Sequence, residues 1–359
     1  MPPAPAAAHE PGAHGLAALS PTNFGMVMAT GIVSIAAHQS GLARVALALL
    51  ALNVLAYVLL WLLTLARLLR HRRAMLEDLL DHQRAPGYFT TVAATGVLGT
   101  QSLVLTDNAA VATALWLATI VLWTLAIYSV FAILTVKARK PTLEKGIHGG
   151  WLLAVVATQS ITVLGALLAA RADPAHRIMI NFIVLSMWAW GGMLYIWLMT
   201  LIFYRYAFFT LEPDDMTPPY WINMGAMAIS TLGGALLIDN AGHAPLLLAV
   251  LPWLKGMTVI YWATGTWWIP LLLLLGAWRY VLRRSPLHYD PMYWAVVFPL
   301  GMYATATGTM VRVLELHFLD ELPPLFLALA LGTWVVVFAA MCASMVRALR
   351  GRRAPDHGR

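Results

Sequence analysis

The chain alternates between long apolar stretches and short polar segments, and this pattern continues from residue 22 almost to its end. Most stretches reach or exceed the roughly 20 residues that an α-helix needs to cross the apolar core of a bilayer. The pattern predicts ten transmembrane helices, numbered here as spans one to ten: 22–41, 45–69, 87–105, 109–136, 149–170, 178–208, 219–238, 246–282, 291–317 and 323–349. The eighth span is the least regular, because Pro252 and Lys255 interrupt its beginning.

The composition supports an all-α integral membrane protein. Hydrophobic residues make up 60% of the 359 residues and charged residues only 11%, whereas soluble domains average about 45–50% apolar and about 25% charged residues. Too few charged residues are present to cover a water-exposed surface, so the excess apolar surface is expected to face lipid. The single cysteine, Cys342, excludes a disulfide within the chain and a cysteine metal cluster.

Three segments follow from this pattern. Residues 1–21 are rich in Pro and Ala, and residues 1–20 contain no Lys or Arg, which is atypical of a signal peptide and predicts a disordered cytoplasmic tail. Residues 22–349 form the predicted ten-helix domain, and residues 350–359 form a basic cytoplasmic tail.

Basic residues predict the orientation in the membrane. With ten spans, 18 of the 23 Lys and Arg residues fall on one side and 5 on the other. Because basic loops stay on the cytoplasmic side, both termini are predicted to be cytoplasmic in a multi-pass protein of the cell inner membrane. The net charge of +7 is therefore attributed to this rule, and no nucleic-acid partner is expected.

A repeat runs through the odd-numbered spans. Each opens with an aromatic residue and then becomes rich in small and hydroxylated residues; the aromatic residues are separated by 65, 62, 70 and 73 positions and are Phe24, Phe89, Trp151, Trp221 and Trp294. The repeating unit is a helical hairpin, present five times. Because small residues let membrane helices approach closely, the odd spans are predicted to form an inner ring around a pore, with the even spans outside facing lipid.

The mid-membrane residues of the odd spans are mostly neutral, whereas ionisable residues lie near the span ends. A pore without a fixed charge favours passive passage of ions over tight, coupled transport. The predicted pore-lining set is Ala29, Thr30, Thr95, Thr158, Gln159, Gly225 and Ser230. For Gln159, near mid-depth, two interpretations remain open: a pore-lining amide, or an amide in an interhelical hydrogen bond.

The ninth span contains a candidate gate. Pro299 kinks a helix because it removes one backbone hydrogen bond, and Phe298 directly precedes it. In the aligned repeats the place of Phe298 is taken by residues that are smaller or more flexible, namely Met28, Ala93, Val155 and Gly225. Phe298 and Pro299 are therefore predicted to form the gate of the pore.

Three segments carry a resemblance to a known family. FGMVMATGIVS at 24–34, GWLLAVVATQS at 150–160 and WAVVFPL at 294–300 resemble the tellurite-resistance/dicarboxylate transporter family, which includes slow anion channels and malate and sulfite permeases. The resemblance spans essentially the whole chain. It implies five hairpins around a central pore, often in a homotrimer, anion passage without a bound cofactor, and a pore closed by Phe298. Ala29 departs from the Gly expected in many relatives, and its methyl group would narrow the pore.

The leading hypothesis is a passive channel for small inorganic anions or C4-dicarboxylates such as malate, with tellurite and sulfite also considered. One alternative is a proton-coupled C4-dicarboxylate carrier, which the lack of a central carboxylate disfavours. A membrane enzyme is a remote alternative. The sequence contains no H-E-x-x-H zinc motif and no G-x-S-x-G elbow. The expected partners are therefore an anionic substrate and the lipid bilayer.

Overall fold

The computed structural model describes residues 15–286 and 289–351, and this part of the chain contains helices and no strand. Ten principal helices follow one another as α1 (Gly25–Gln39), α2 (Ala43–Arg70), α3 (Phe89–Thr106), α4 (Ala109–Val136), α5 (Leu153–Arg171), α6 (Pro174–Phe208), α7 (Ile222–Asn240), α8 (Leu251–Ala277), α9 (Trp294–Leu314) and α10 (Leu322–Gly351). Shorter helices lie in the connections at Arg72–Leu80, Leu143–Gly146 and Pro245–Ala249, and a π-helical turn, Trp278–Leu282, extends α8.

Every odd-numbered helix is preceded by a short 3-10 turn. These turns are Pro21–Phe24, Ala85–Tyr88, Gly149–Leu152, Pro218–Trp221 and Pro291–Tyr293. In four of the five, Pro occupies the first or second position, where its missing N–H costs no helical bond and its fixed φ suits a helix start. The aromatic residue of the sequence repeat lies in this turn or at the first helical position after it.

The odd-numbered helices form a closed ring. α1 packs against α3, α3 against α5, α5 against α7, α7 against α9, and α9 returns to α1. Each even-numbered helix packs mainly on the odd helix before it and more lightly on the next one. In the most apolar windows, 78–94% of residues are buried in α3, α5, α7 and α9, against 22–44% in the even helices. The predicted all-α fold, with odd helices inside and even helices outside, is confirmed.

Nine helices in the described part of the chain are long and apolar enough to cross a bilayer. They include every principal helix except α1, which has only 15 residues and whose residues 27–37 are all buried. The protein is therefore a multi-pass membrane protein, while the predicted count of ten crossings stays a prediction.

Some boundaries differ from the predicted ones. The predicted eighth span, 246–282, consists of the short helix Pro245–Ala249, then α8, then the π-helical turn. The ninth span ends three residues early, at Leu314, because Glu315 adopts the left-handed conformation. Of the two predicted tails, residues 1–14 and 352–359 lie outside the described residues, and Gly15–Ala18 forms a 3-10 turn.

A buried ion pair fixes the N-terminal segment to the end of α2. Arg67 is 3% exposed, and its guanidinium lies 2.8 Å from the carboxylate of Asp78 on the helix Arg72–Leu80. It also donates two hydrogen bonds to the carbonyl of Ala17. Buried charges need such partners to offset the cost of leaving water. Asp78 accepts a second bond from Arg84, whose side chain is 53% exposed.

The two arginines give a matched test of this cluster. Arg67→Ala leaves the Asp78 carboxylate buried without its buried partner, a change that typically costs about 3–5 kcal/mol. Arg84→Ala removes an exposed partner of the same carboxylate, and such pairs contribute about 0–1 kcal/mol. We expect a clearly lower thermal unfolding temperature in detergent for Arg67→Ala only. Equal shifts for both variants would contradict this account of the ion pair.

Candidate functional site

A small cavity of about 40 Å³ lies at the end of the ring where the five inner helices begin, here called the start face. The opposite end is called the far face. All five inner helices supply residues to the cavity wall, so the cavity lies on the axis of the ring. Its lining consists of Thr22, Gly25, Met28, Thr90, Leu153, Pro219, Ile222, Pro291, Met292, Trp294, Ala295 and Phe298.

The wall of this axial cavity is uncharged and largely apolar. Phe298 lies in it with only 2% of its surface exposed. Pro299 packs on α7 at Gly225, where an added Cβ would lie 2.8 Å from the proline Cγ. Glycine at 225 therefore makes room for the proline inside α9. The structure places Phe298 in the wall of the axial cavity and Pro299 against α7, and the gating role of both residues stays a prediction.

The start face presents five helix N-termini to the axis. The first N–H of each inner helix donates to the 3-10 turn before it, so the attraction for an anion comes from the helix dipole, which adds about half a positive charge at that end. Anions are stabilised near such ends. Among the residues that the structure describes, no acidic side chain lines the cavity. The nearby Asp290 uses its carboxylate to accept a hydrogen bond from the Met292 N–H. The electrostatic environment therefore favours an anion over a cation.

The segment before α5 departs from the repeated proline. His148 takes its place, and the imidazole Nδ1 accepts a hydrogen bond from the Gly150 N–H at 3.1 Å. Burial lowers the pKa of His148 to about 4, so this ring is neutral near pH 7 and adds no charge to the start face.

Three predicted pore-lining threonines use their hydroxyls to contact the outer helices. The Thr30 hydroxyl accepts from Trp334 Nε1 on α10 at 3.0 Å. The Thr158 hydroxyl accepts from Trp123 Nε1 on α4 at 2.8 Å. The Thr95 hydroxyl lies 2.9 Å from the Tyr57 hydroxyl on α2. These three hydroxyls therefore form hydrogen bonds between inner and outer helices. The role of the three threonines in lining a pore stays a prediction.

The same kind of bond joins the remaining two inner helices to the outer ring. Trp262 Nε1 on α8 donates to the Thr307 hydroxyl on α9 at 3.1 Å. Trp188 Nε1 on α6 donates to the backbone carbonyl of Ser230 on α7 at 2.7 Å, and the Ser230 hydroxyl bonds within its own helix to Ala226. Hydrogen bonds between membrane helices average about 0.6 kcal/mol each. Because every inner helix makes one to an outer helix, together they hold the inner and outer helices in register.

Gln159 makes one of the two contacts foreseen for it. Its Nε2 donates to the Trp188 backbone carbonyl at 3.1 Å, which is an interhelical bond from α5 to α6. Its Oε1 is buried without a partner in the described part of the chain. Gly233 of α7 lies beside this oxygen. Ala29 is fully buried in the ring. For both residues, lining of a pore stays a prediction.

Ion pairs join inner helices at the far face. Arg171 of α5 lies 3.1 Å from Asp107 at the end of α3, and Arg312 of α9 binds Asp239 of α7 through two hydrogen bonds. All four side chains are substantially exposed. These ionisable groups lie near helix ends rather than at mid-membrane depth.

The chain is similar in sequence to several membrane and transport proteins. An uncharacterized transporter of Methanocaldococcus jannaschii is 23% identical over 304 residues, covering 83% of this chain and 86% of the relative. An uncharacterized membrane protein of Mycobacterium tuberculosis is 36% identical over 148 residues, covering 41% of this chain and 75% of the relative. The sulfite efflux pump SSU1 of Trichophyton rubrum is 24% identical over 204 residues, covering 53% of this chain and 52% of the pump.

The family assignment rests on a match that extends over the complete ring. The family model described as voltage-dependent anion channel (SLAC1) matches residues 18–342, from the end of the turn Gly15–Ala18 into α10. The chain therefore belongs to the voltage-dependent anion channel family.

Proposed function

We propose that this protein is a passive anion channel whose pathway is the axis of the inner ring, closed at the start face by Phe298. The observation that carries the proposal is the uncharged cavity to which all five inner helices contribute, with Phe298 in its wall. An apolar constriction of this kind blocks ions sterically and by dewetting. Pro299 lies inside α9, and a proline inside a helix gives that helix a place to bend.

The charge distribution supports anions as the transported class. Five helix N-termini make the start face attractive to negative charge. None of the described residues that line the axial cavity is charged, which keeps binding weak. A channel needs weak binding because a tightly bound ion leaves slowly. Conduction in this proposal requires only that the Phe298 ring leaves the axis, by a rotamer change or a small shift of α9.

The substrate proposal extends from small inorganic anions, sulfite included, to C4-dicarboxylates such as malate, with tellurite as a further candidate. The similarity to a sulfite efflux pump supports sulfite as the first anion to test. We further propose a homotrimer in the cell inner membrane, with both termini cytoplasmic and no cofactor. The basic-residue asymmetry supports the orientation.

A flux assay in proteoliposomes tests the proposal. We expect at least one of five anions to move down its electrochemical gradient: sulfite, chloride, nitrate, malate or succinate. A membrane potential should alter this flux. An imposed pH gradient alone should produce no uphill accumulation, since no carboxylate of the described part of the chain lines the axial cavity. Protein-free liposomes control for leak. Sustained uphill uptake of malate driven by a proton gradient would instead establish the coupled carrier.

A further inference from the structure

A groove of about 250 Å³ lies on the outside of the ring between the outer helices α8 and α10. We call it the α8–α10 groove. Its inner wall is the first turn of α9, at Val296, two positions before Phe298. Apolar and small residues form most of its depth: Leu272 and Gly276 of α8, and Val336 and Val337 of α10.

The groove exists because α8 touches the next inner helix only sparsely. α8 packs closely on α7, yet its contact with α9 is the weakest that any outer helix makes with its second inner neighbour. Gly276 adds to the open space between α8 and α9, because a Cβ built there would meet no atom within 4 Å. The space between α8 and α9 is therefore open toward the outer surface of the helix bundle.

A cation is held at the start-face end of the groove. The Arg279 side chain is only 14% exposed and lies in the π-helical turn that extends α8. One terminal nitrogen donates to the Met216 carbonyl, and the other is 4.0 Å from the carboxylate of Asp214, whose side chain is 93% exposed. The buried Nε–H has no acceptor among the described residues. The guanidinium therefore has an N–H donor without an acceptor at the start-face end of the apolar α8–α10 groove.

The surroundings of Arg279 are typical of a membrane–water boundary. The Tyr280 and Tyr293 hydroxyls lie 3.1 Å apart beside it. The guanidinium of Arg283 lies over the Trp278 ring at 5.8 Å. Tyr and Trp concentrate at the level of lipid headgroups, and Arg is suited to binding phosphate through several N–H donors at once.

We propose that the α8–α10 groove binds an anionic phospholipid, with an acyl chain between α8 and α10 and the headgroup phosphate accepting from Arg279. At the depth of Leu272 and Val336 the surrounding bilayer offers acyl chains. Three arginines, Arg279, Arg283 and Arg284, fall within six residues at this end of α8. Of the carboxylates nearby, Asp215 is paired with Arg205, Asp290 accepts from the Met292 N–H, and Asp214 is 93% exposed. The basic cluster therefore selects an anionic headgroup over a zwitterionic one.

Native mass spectrometry of the purified full-length protein tests this site. Protein is extracted from vesicles containing equal parts of phosphatidylglycerol and phosphatidylcholine, and the retained lipids are counted. We expect the parent to retain phosphatidylglycerol in preference to phosphatidylcholine. Arg279→Gln should weaken retention of phosphatidylglycerol about tenfold, because a charge-assisted bond to phosphate is lost.

A second pair of variants separates the groove from the fold. Gly276→Leu fills the slot with a side chain for which space exists, and Leu is a better helix former than Gly. It should exclude the acyl chain and lower phosphatidylglycerol retention. Gly256→Leu makes the same exchange in the same helix, at another open position, and should bind like the parent. Full retention by Gly276→Leu, or a parent without preference for the anionic lipid, would overturn the proposal.

Discussion

Replacing Phe298 by Ala should raise anion conductance per folded channel by about tenfold or more, an increase that corresponds to a barrier lowered by about 1.4 kcal/mol or more. The phenyl ring lines the axial cavity where α1, α3, α5, α7 and α9 converge, and it is almost completely buried. Its removal opens the apolar constriction of the proposed pathway, while the closed ring of helices remains. Single-channel recording in planar bilayers, normalised to folded protein, measures the effect.

Two variants make this result interpretable. Phe298→Leu should give an intermediate conductance, because Leu fills part of the same volume. Phe326→Ala removes a phenyl ring of similar burial on α10, where it packs on Tyr303 with ring centroids 4.4 Å apart, and should not raise conductance. If well-folded Phe298→Ala conducts no more than the parent, the phenyl ring of Phe298 only packs against its neighbours, and the proposed gate is wrong.

The layered architecture was predictable from sequence because it depends on one-dimensional properties. Span length, the recurring aromatic residue and the bias toward small residues can each be recognised in the sequence without knowing which helix packs against which. Small side chains mark the helices that must pack on all sides, as the almost complete burial of α5 and α7 shows. Long Leu- and Trp-rich helices mark those with one face toward lipid.

The direction of individual side chains was not predictable, for a related reason. A helix buried on all sides has no polar face to orient it, so the pattern does not tell which residues point inward. Thr30 bonds to Trp334, which lies 304 residues away in sequence, and no local signal connects the two. The same applies to Gln159, whose partner Trp188 offers a backbone carbonyl that any residue type would supply.

A negative charge placed in the axial cavity should slow anion passage strongly. Ala295 lines this cavity in the first turn of α9, is partly exposed, and stands among the five helix N-termini. Because the wall is apolar and the local dielectric constant is low, a carboxylate there repels an approaching anion more strongly than it would in water. It also offsets the positive ends of the helix dipoles that favour anion approach.

The test uses Phe298→Ala as the conducting parent, so that a loss of flux is measurable. We expect Phe298→Ala/Ala295→Asp to pass anions at least about tenfold more slowly than Phe298→Ala/Ala295→Asn, which has nearly the same shape without the charge. The difference should shrink as ionic strength rises, because salt screens the repulsion. Proteoliposome flux at low and high salt measures both effects. Equal flux through the two double variants at low salt would show that anions do not pass Ala295, and the axis would then not be their pathway.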